Sequence, residues 1–175
     1  MPRCGKSHYG QLLAIKSGLP FYDLDQAVEK LYEQQTGEVR SPRQLFIEQG
    51  EGSFRQWETK ALLHLQTAPA GILALGGGSC EPEAHHRLLP SMGQLIYLVV
   101  PMALLLSRFH EPRPPYLQQG IPLQMALEAL EEKRRPHFEQ LATTTIALEH
   151  HSSQEELLEE LFQLLPRQQK ESPRW

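Results

Sequence analysis

A chain of 175 residues, 40% hydrophobic and 22% charged, is sized for one compact domain with a substantial core. Its formal net charge of −4 argues against nucleic-acid binding, which needs a surplus of Lys and Arg, yet a few arginines still suffice for a small anionic ligand. The two cysteines, Cys4 and Cys80, form neither a disulfide framework nor a metal-spaced pair and suggest a reducing compartment. The best apolar run, 95–106, is broken by Pro101 and too short for a bilayer, and no apolar leader run opens the chain, so a cytoplasmic protein without a membrane span is expected.

Short aliphatic runs alternate with longer amphipathic segments, the pattern of βαβ units around a parallel sheet. The chain opens on Gly5-Lys6-Ser7, followed by Gly10 and an amphipathic stretch through Leu12, Leu13 and Ile15, the second half of a phosphate-binding loop. There, helix-start N–H groups cradle phosphates, Lys6 reaches the β/γ oxygens and Ser7 ligates Mg²⁺. Read alone, the tripeptide is equally an ordinary turn into a helix.

A strand over Pro20–Tyr22 runs into Asp23 and Asp25, placing two acids at a strand's carboxyl end, where open α/β sheets bind ligands. The competing reading of Asp25 is the N-cap of a helix over Gln26–Gln35. Ser41 and Pro42 are the N-cap and first residue of the next helix. Arg55 follows Gly50-Glu51-Gly52 and, taken alone, reads as a salt-bridge partner of Glu51 or Glu58.

A strand over Ile72–Leu75 ends in Gly76-Gly77-Gly78, which either lets a ligand approach the backbone or makes a tight turn. A strand over Leu95–Val100 precedes the proline-rich excursion 110–122, read as a mobile lid carrying Arg113. Arg134-Arg135-Pro136 reads as the stop of one helix and the start of another. A strand over Thr144–Leu148 and a helix opened by a Ser153/Glu156 capping box complete a single domain over 1–165, with a disordered tail over 166–175.

In order, GKS, FYDLD, GEGSFRQWE, LALGGGS, the lid Arg-Pro and RRPHF resemble the shikimate kinase family over nearly the whole chain. The resemblance implies a P-loop α/β three-layer sandwich: a parallel sheet, normally of five strands, helices on both faces, and a lid closing over ATP. It implies phosphorylation of shikimate to shikimate 3-phosphate, on the route to chorismate and aromatic amino acids, by a monomer using ATP with Mg²⁺ and binding neither nucleic acid nor membrane. Arg3, Cys4, Gly5, Lys6, Ser7 and His8 match the ATP-phosphate loop, with Ser7 on the magnesium and Asp23 steadying it through water. Arg113 matches the lid arginine on the ATP phosphates, and Asp25, Arg55, Gly77 and Arg134 match the shikimate-binding positions. Lys6, Asp25 and Arg113 are then the catalytic set.

Departures include Pro-Pro-Tyr after Arg113, Phe138 where a tyrosine is usual, and a short lid before Arg113; none removes a catalytic group. Arg108 is open between an adenine contact and a helix end. The first glycine of the loop signature and its feeding strand would fall ahead of Met1, so an upstream start is expected, since a central strand is worth about 5–10 kcal/mol of burial. The alternatives are another small-molecule P-loop kinase of the gluconate-kinase type and a non-catalytic nucleotide- or metabolite-binding protein.

Overall fold

The computed structural model describes residues 1–109 and 113–166. The lid residues His110, Glu111 and Pro112 and the tail residues 167–175, both singled out by the sequence, lie outside the described residues.

Helix α1 (Lys6–Ser17) starts at Gly5, whose φ of 98° is a left-handed conformation that side chains resist, and ends at Gly18. Strand β1 (Phe21–Asp23) passes directly into α2 (Leu24–Thr36). The N-cap is Asp23, not Asp25: its carboxylate accepts from the Asp25 and Gln26 N–H groups at 3.0 and 3.4 Å, because the helix begins at Leu24. Helix α3 (Pro42–Leu65) opens on a complete capping box between Ser41 and Gln44 and bends at Gly50.

Strand β2 (Ile72–Ala74) pairs with β1 in parallel, Tyr22 opposite Leu73. Helix α4 (Glu83–Met92) leads to β3 (Ile96–Val99), then α5 (Met102–Ser107) and the long α6 (Leu123–Leu141). Strand β4 (Thr144–Ala147) pairs with β3 in parallel, Leu98 opposite Ile146, before a short 3₁₀ turn at Leu148–His150 and α7 (Gln154–Gln163). All four expected strands exist: β1 is shifted one residue toward the carboxyl end, and the other three are a residue or two shorter than read, Pro101 and the 3₁₀ turn at Leu148 ending β3 and β4.

Pro136 does not split α6, contrary to the sequence reading. Ala126, Leu127, Leu130, Arg134, Phe138 and Leu141 keep one buried face in register across it, and that packing outweighs a penalty of about 3 kcal/mol for an internal proline. In α7, Ser153 accepts from the Glu156 N–H, but the Glu156 carboxylate turns to the N–H and hydroxyl of Ser152, so only half of the expected box forms.

One core gathers Leu24, Val28, Leu45 and Leu62 from α2 and α3 with Leu89 from α4; the other gathers Leu98, Leu105, Leu127, Ile146 and Leu157 around β3, β4 and α5–α7. Among the described residues the two strand pairs form separate ladders. A cavity of about 580 Å³, bordered by Leu73, Leu75, Tyr97, Phe138 and Leu141, lies between them. Both pairs bring their carboxyl ends to the loops that carry the site.

Candidate active site

The phosphate-loop residues meet the first turn of α1. Lys6 Nζ donates to the Met1 carbonyl at 3.0 Å and lies 3.5 Å from Cys4 Sγ. Burial opposes ionisation of the Cys4 thiol, but Lys6 and the Met1 amine beside it carry its pKa below the ordinary thiol value. The His8 ring lies 2.8 Å from Gln154 Oε1 and ties α1 to α7. Arg3 donates to the Arg108 carbonyl at 2.9 Å, and Arg108 donates back to the Arg3 carbonyl at 3.3 Å. Arg108, left open by the sequence, thereby stands at the loop, its Nη1 3.5 Å from where a Gly5 side chain would begin.

Ser7 and Asp23 come together across sixteen residues of sequence, the Ser7 hydroxyl donating to Asp23 Oδ2 at 2.8 Å. The described residues contain no cluster of three or more His, Cys, Asp or Glu side chains able to hold a metal ion. A hydroxyl, one carboxylate and phosphate oxygens from a nucleotide form the all-oxygen set that suits a hard ion such as Mg²⁺, so the residues present fit that ion.

A second cluster surrounds a pocket of about 230 Å³ bordered by Asp25, Phe46, Arg55, Gly77, Tyr116 and Arg134. Arg55 on α3 donates to Glu58 at 2.6 Å and to Glu51 at 3.0 Å, so both salt-bridge partners are present, and the same side chain borders the pocket. Glu58 is fully buried and also accepts from the Ser79 hydroxyl at 2.6 Å, locking the glycine loop to α3. His85, likewise buried, lies 2.7 Å from the Ser79 carbonyl and 2.8 Å from the Thr59 hydroxyl and reinforces the same join.

Arg134 is only 2% exposed, and its Nη1 has no hydrogen-bond partner among the described residues. A buried guanidinium N–H left unpaired costs on the order of 1–3 kcal/mol, a standing preference for an anionic ligand. The three glycines make room for it: a methyl at Gly78 would begin 2.1 Å from Arg55 Nη2 and 2.8 Å from Arg134 Nη2, and one at Gly77 3.4 Å from Arg134 Nη1.

Asp25 keeps solvent contact at the pocket mouth while protein crowds its other sides. That loss of solvation, then the charges of Asp23 and Glu58, push its carboxyl up to about 6. It is ionised at neutral pH and can take a proton without leaving the physiological range.

Asp25, Arg55, Gly77 and Arg134 thus converge as the sequence expected, and Lys6, Ser7 and Asp23 converge beside them. Arg113 Nη1 donates to the Ile121 carbonyl within its own loop at 2.7 Å, and Arg43 donates to the Arg113 carbonyl at 3.1 Å. Missed from sequence were Glu58 as a bridge to Ser79 and Tyr116, whose ring centre lies 5.0 Å from the Arg134 guanidinium carbon. The Arg55/Glu58 spacing of one helical turn signalled Glu58; nothing in the proline-rich loop singled out Tyr116.

Parallel βα units, a left-handed glycine turn into α1 and a cationic pocket beyond the carboxyl ends of the strands define the class as a P-loop kinase fold. The chain matches the family model "Shikimate kinase" over residues 2–166. It is 33% identical over 150 residues to shikimate kinase 1 of Citrobacter koseri, covering 85% of this chain and 83% of that one, and equally to shikimate kinase 1 of Salmonella newport. A shikimate kinase structure from Acinetobacter baumannii, in complex with shikimate, superposes with a TM-score of 0.76 at 29% identity, over 92% of this chain and 86% of that one. The Aquifex aeolicus shikimate kinase superposes at 0.72 with 26% identity, over 93% and 90%. The chain belongs to the shikimate kinase family.

Proposed function

We propose that the protein transfers the γ-phosphoryl group of ATP to a ring hydroxyl of shikimate, giving shikimate 3-phosphate and ADP. The observation that carries this reading is the buried Arg134 guanidinium, unpartnered at Nη1 among the described residues, which borders with Arg55 and Asp25 a pocket of about 230 Å³. Arg134 and Arg55 hold the substrate carboxylate through charge-assisted hydrogen bonds, which fixes the ring. Asp25 accepts from ring hydroxyls, orients the attacking one and receives its proton as the oxygen–phosphorus bond forms and the bond to the β-phosphate oxygen breaks.

The first turn of α1 and Lys6 hold the β- and γ-phosphates, Lys6 exchanging the Met1 carbonyl for phosphate oxygen. Ser7, directly, and Asp23, through water, are the residues that would hold Mg²⁺, which supplies charge neutralisation on the phosphates when bound. Arg113 reaches the phosphates by leaving Ile121 as its loop closes, whereas Arg108 is already at the phosphate loop. Arg3, Cys4, Gly5 and His8 complete that loop. A cytoplasmic monomer is the accompanying reading; among the described residues no helix is long and apolar enough to cross a membrane.

The test is shikimate-dependent ADP release by the purified, folded chain with Mg²⁺ and ATP. Saturable turnover with shikimate, and none with gluconate, supports the reading. Binding of both ligands without turnover would leave a non-catalytic binding protein, and turnover with gluconate would move the chain to the rival kinase class.

A further inference from the structure

Glu81, just past the glycine triplet, has no role in the motif series, yet it touches the cations of the pocket. Its Oε1 accepts from Arg134 Nε at 2.7 Å and lies 3.7 Å from Arg55 Nη2, while its Oε2 meets Lys133 Nζ at 2.6 Å. Burial pushes its carboxyl up, but the Lys133 hydrogen bond and the Arg134 charge outweigh this and hold it below the usual carboxylate value. The glycine loop closes the remaining space around the Arg134 nitrogens, and the Tyr116 ring lies against the guanidinium.

We propose that Glu81 is a positioning residue for substrate recognition: it anchors Arg134 by Nε and so presents Nη1 to the substrate's carboxylate. The proposal rests on the reading of this pocket as the shikimate site. An arginine side chain carries up to about 2 kcal/mol of rotamer entropy, and a guanidinium fixed before the ligand arrives has already lost it. Glu81 also balances the Arg134 charge in the empty pocket. The negative charge of Glu81 repels an incoming carboxylate, so positioning and charge act on affinity in opposite directions, and suitable variants separate them.

Dissociation constants for shikimate and for its carboxamide, measured by calorimetry on the full chain, are compared with kcat and the KM values for both substrates. Glu81→Ala, losing anchor and charge together, is expected to weaken shikimate about tenfold, the worth of one hydrogen bond to a charged group. Its carboxamide affinity, ATP KM and kcat stay within about twofold. Glu81→Gln keeps an acceptor for Nε and restores shikimate binding to within about threefold of wild type. Shikimate binding by Glu81→Ala that equals or exceeds wild type would overturn the proposal in favour of charge alone. Equal losses for shikimate and carboxamide, or Glu81→Gln as weak as Glu81→Ala, would overturn it in favour of a general structural role. If circular dichroism shows Glu81→Ala unfolded, Glu81→Asp, shorter by one methylene, must weaken shikimate and spare the carboxamide, or the proposal fails. Wild-type protein without saturable shikimate binding refutes the reading of the pocket itself, and Glu81's role with it.

Discussion

Gly78→Ala is the most direct probe of the pocket. Gly78 is not held in the left-handed region, so alanine meets no backbone penalty and the whole effect comes from its methyl group. That methyl would begin 2.1 Å from Arg55 Nη2, whereas ordinary contact starts near 3.4 Å; the difference, 3.4 − 2.1, obliges the guanidinium to retreat by 1.3 Å. The atoms in the way are the far ends of flexible side chains, Arg55 Nη2 and Cζ and Arg134 Nη2, so the fold yields there rather than breaking. Retreat pulls Arg55 off its 2.6 Å bond to Glu58 and away from the substrate carboxylate. One charge-assisted hydrogen bond is worth about 1.5–3 kcal/mol, which converts to roughly a ten- to hundredfold weaker shikimate affinity. Calorimetric titration with shikimate, paired with thermal unfolding, reads both quantities. A folded Gly78→Ala protein that binds shikimate within twofold of wild type would refute the placement of the carboxylate between these arginines.

Lys6→Met should abolish turnover while keeping shikimate binding, and unchanged turnover would remove Lys6 from the phosphate site. Arg134→Ala should raise the shikimate KM by about ten- to a hundredfold with the ATP KM little changed; a defect confined to ATP would contradict its position. For Asp25, kcat/KM should rise with pH through about 6 as the carboxylate forms, and Asp25→Asn should lose both that limb and most of the rate. Because the folded Asp25 value lies above the ordinary 3.8, the folded state binds this proton more tightly. Stability should therefore fall as pH rises from about 4 to about 6, a slope that Asp25→Asn removes in pH-dependent denaturation. Ser7→Ala should raise the Mg²⁺ concentration needed for half-maximal rate, with shikimate affinity unaffected by chelator in either protein.

The sequence by itself determined which segments are strands and helices and which charged residues the fold would bring together. Local signals sufficed for this: the aliphatic runs at Ile72 and Ile96, the Ser41-Pro42 helix start, and the order of the charged motifs. It erred where a local signal was outvoted by long-range packing. Pro136 signals a helix end, but the buried stripe from Ala126 to Leu141 carries α6 through it. Asp25 looks like a cap, but β1 runs straight into α2, and Asp23 both caps the helix and accepts from Ser7. Only the tertiary structure decided the environment of each charge: that Arg134 is sealed from water with a nitrogen unpaired among the described residues, that Glu58 and Glu81 hold the two arginines from separate sides, and that Arg108 stands at the phosphate loop while Arg113 holds Ile121. A residue's type and its immediate neighbours follow from sequence. The desolvation and pairing that give a charge its affinity depend on groups brought together from distant parts of the chain, and those are known only once the helices have packed.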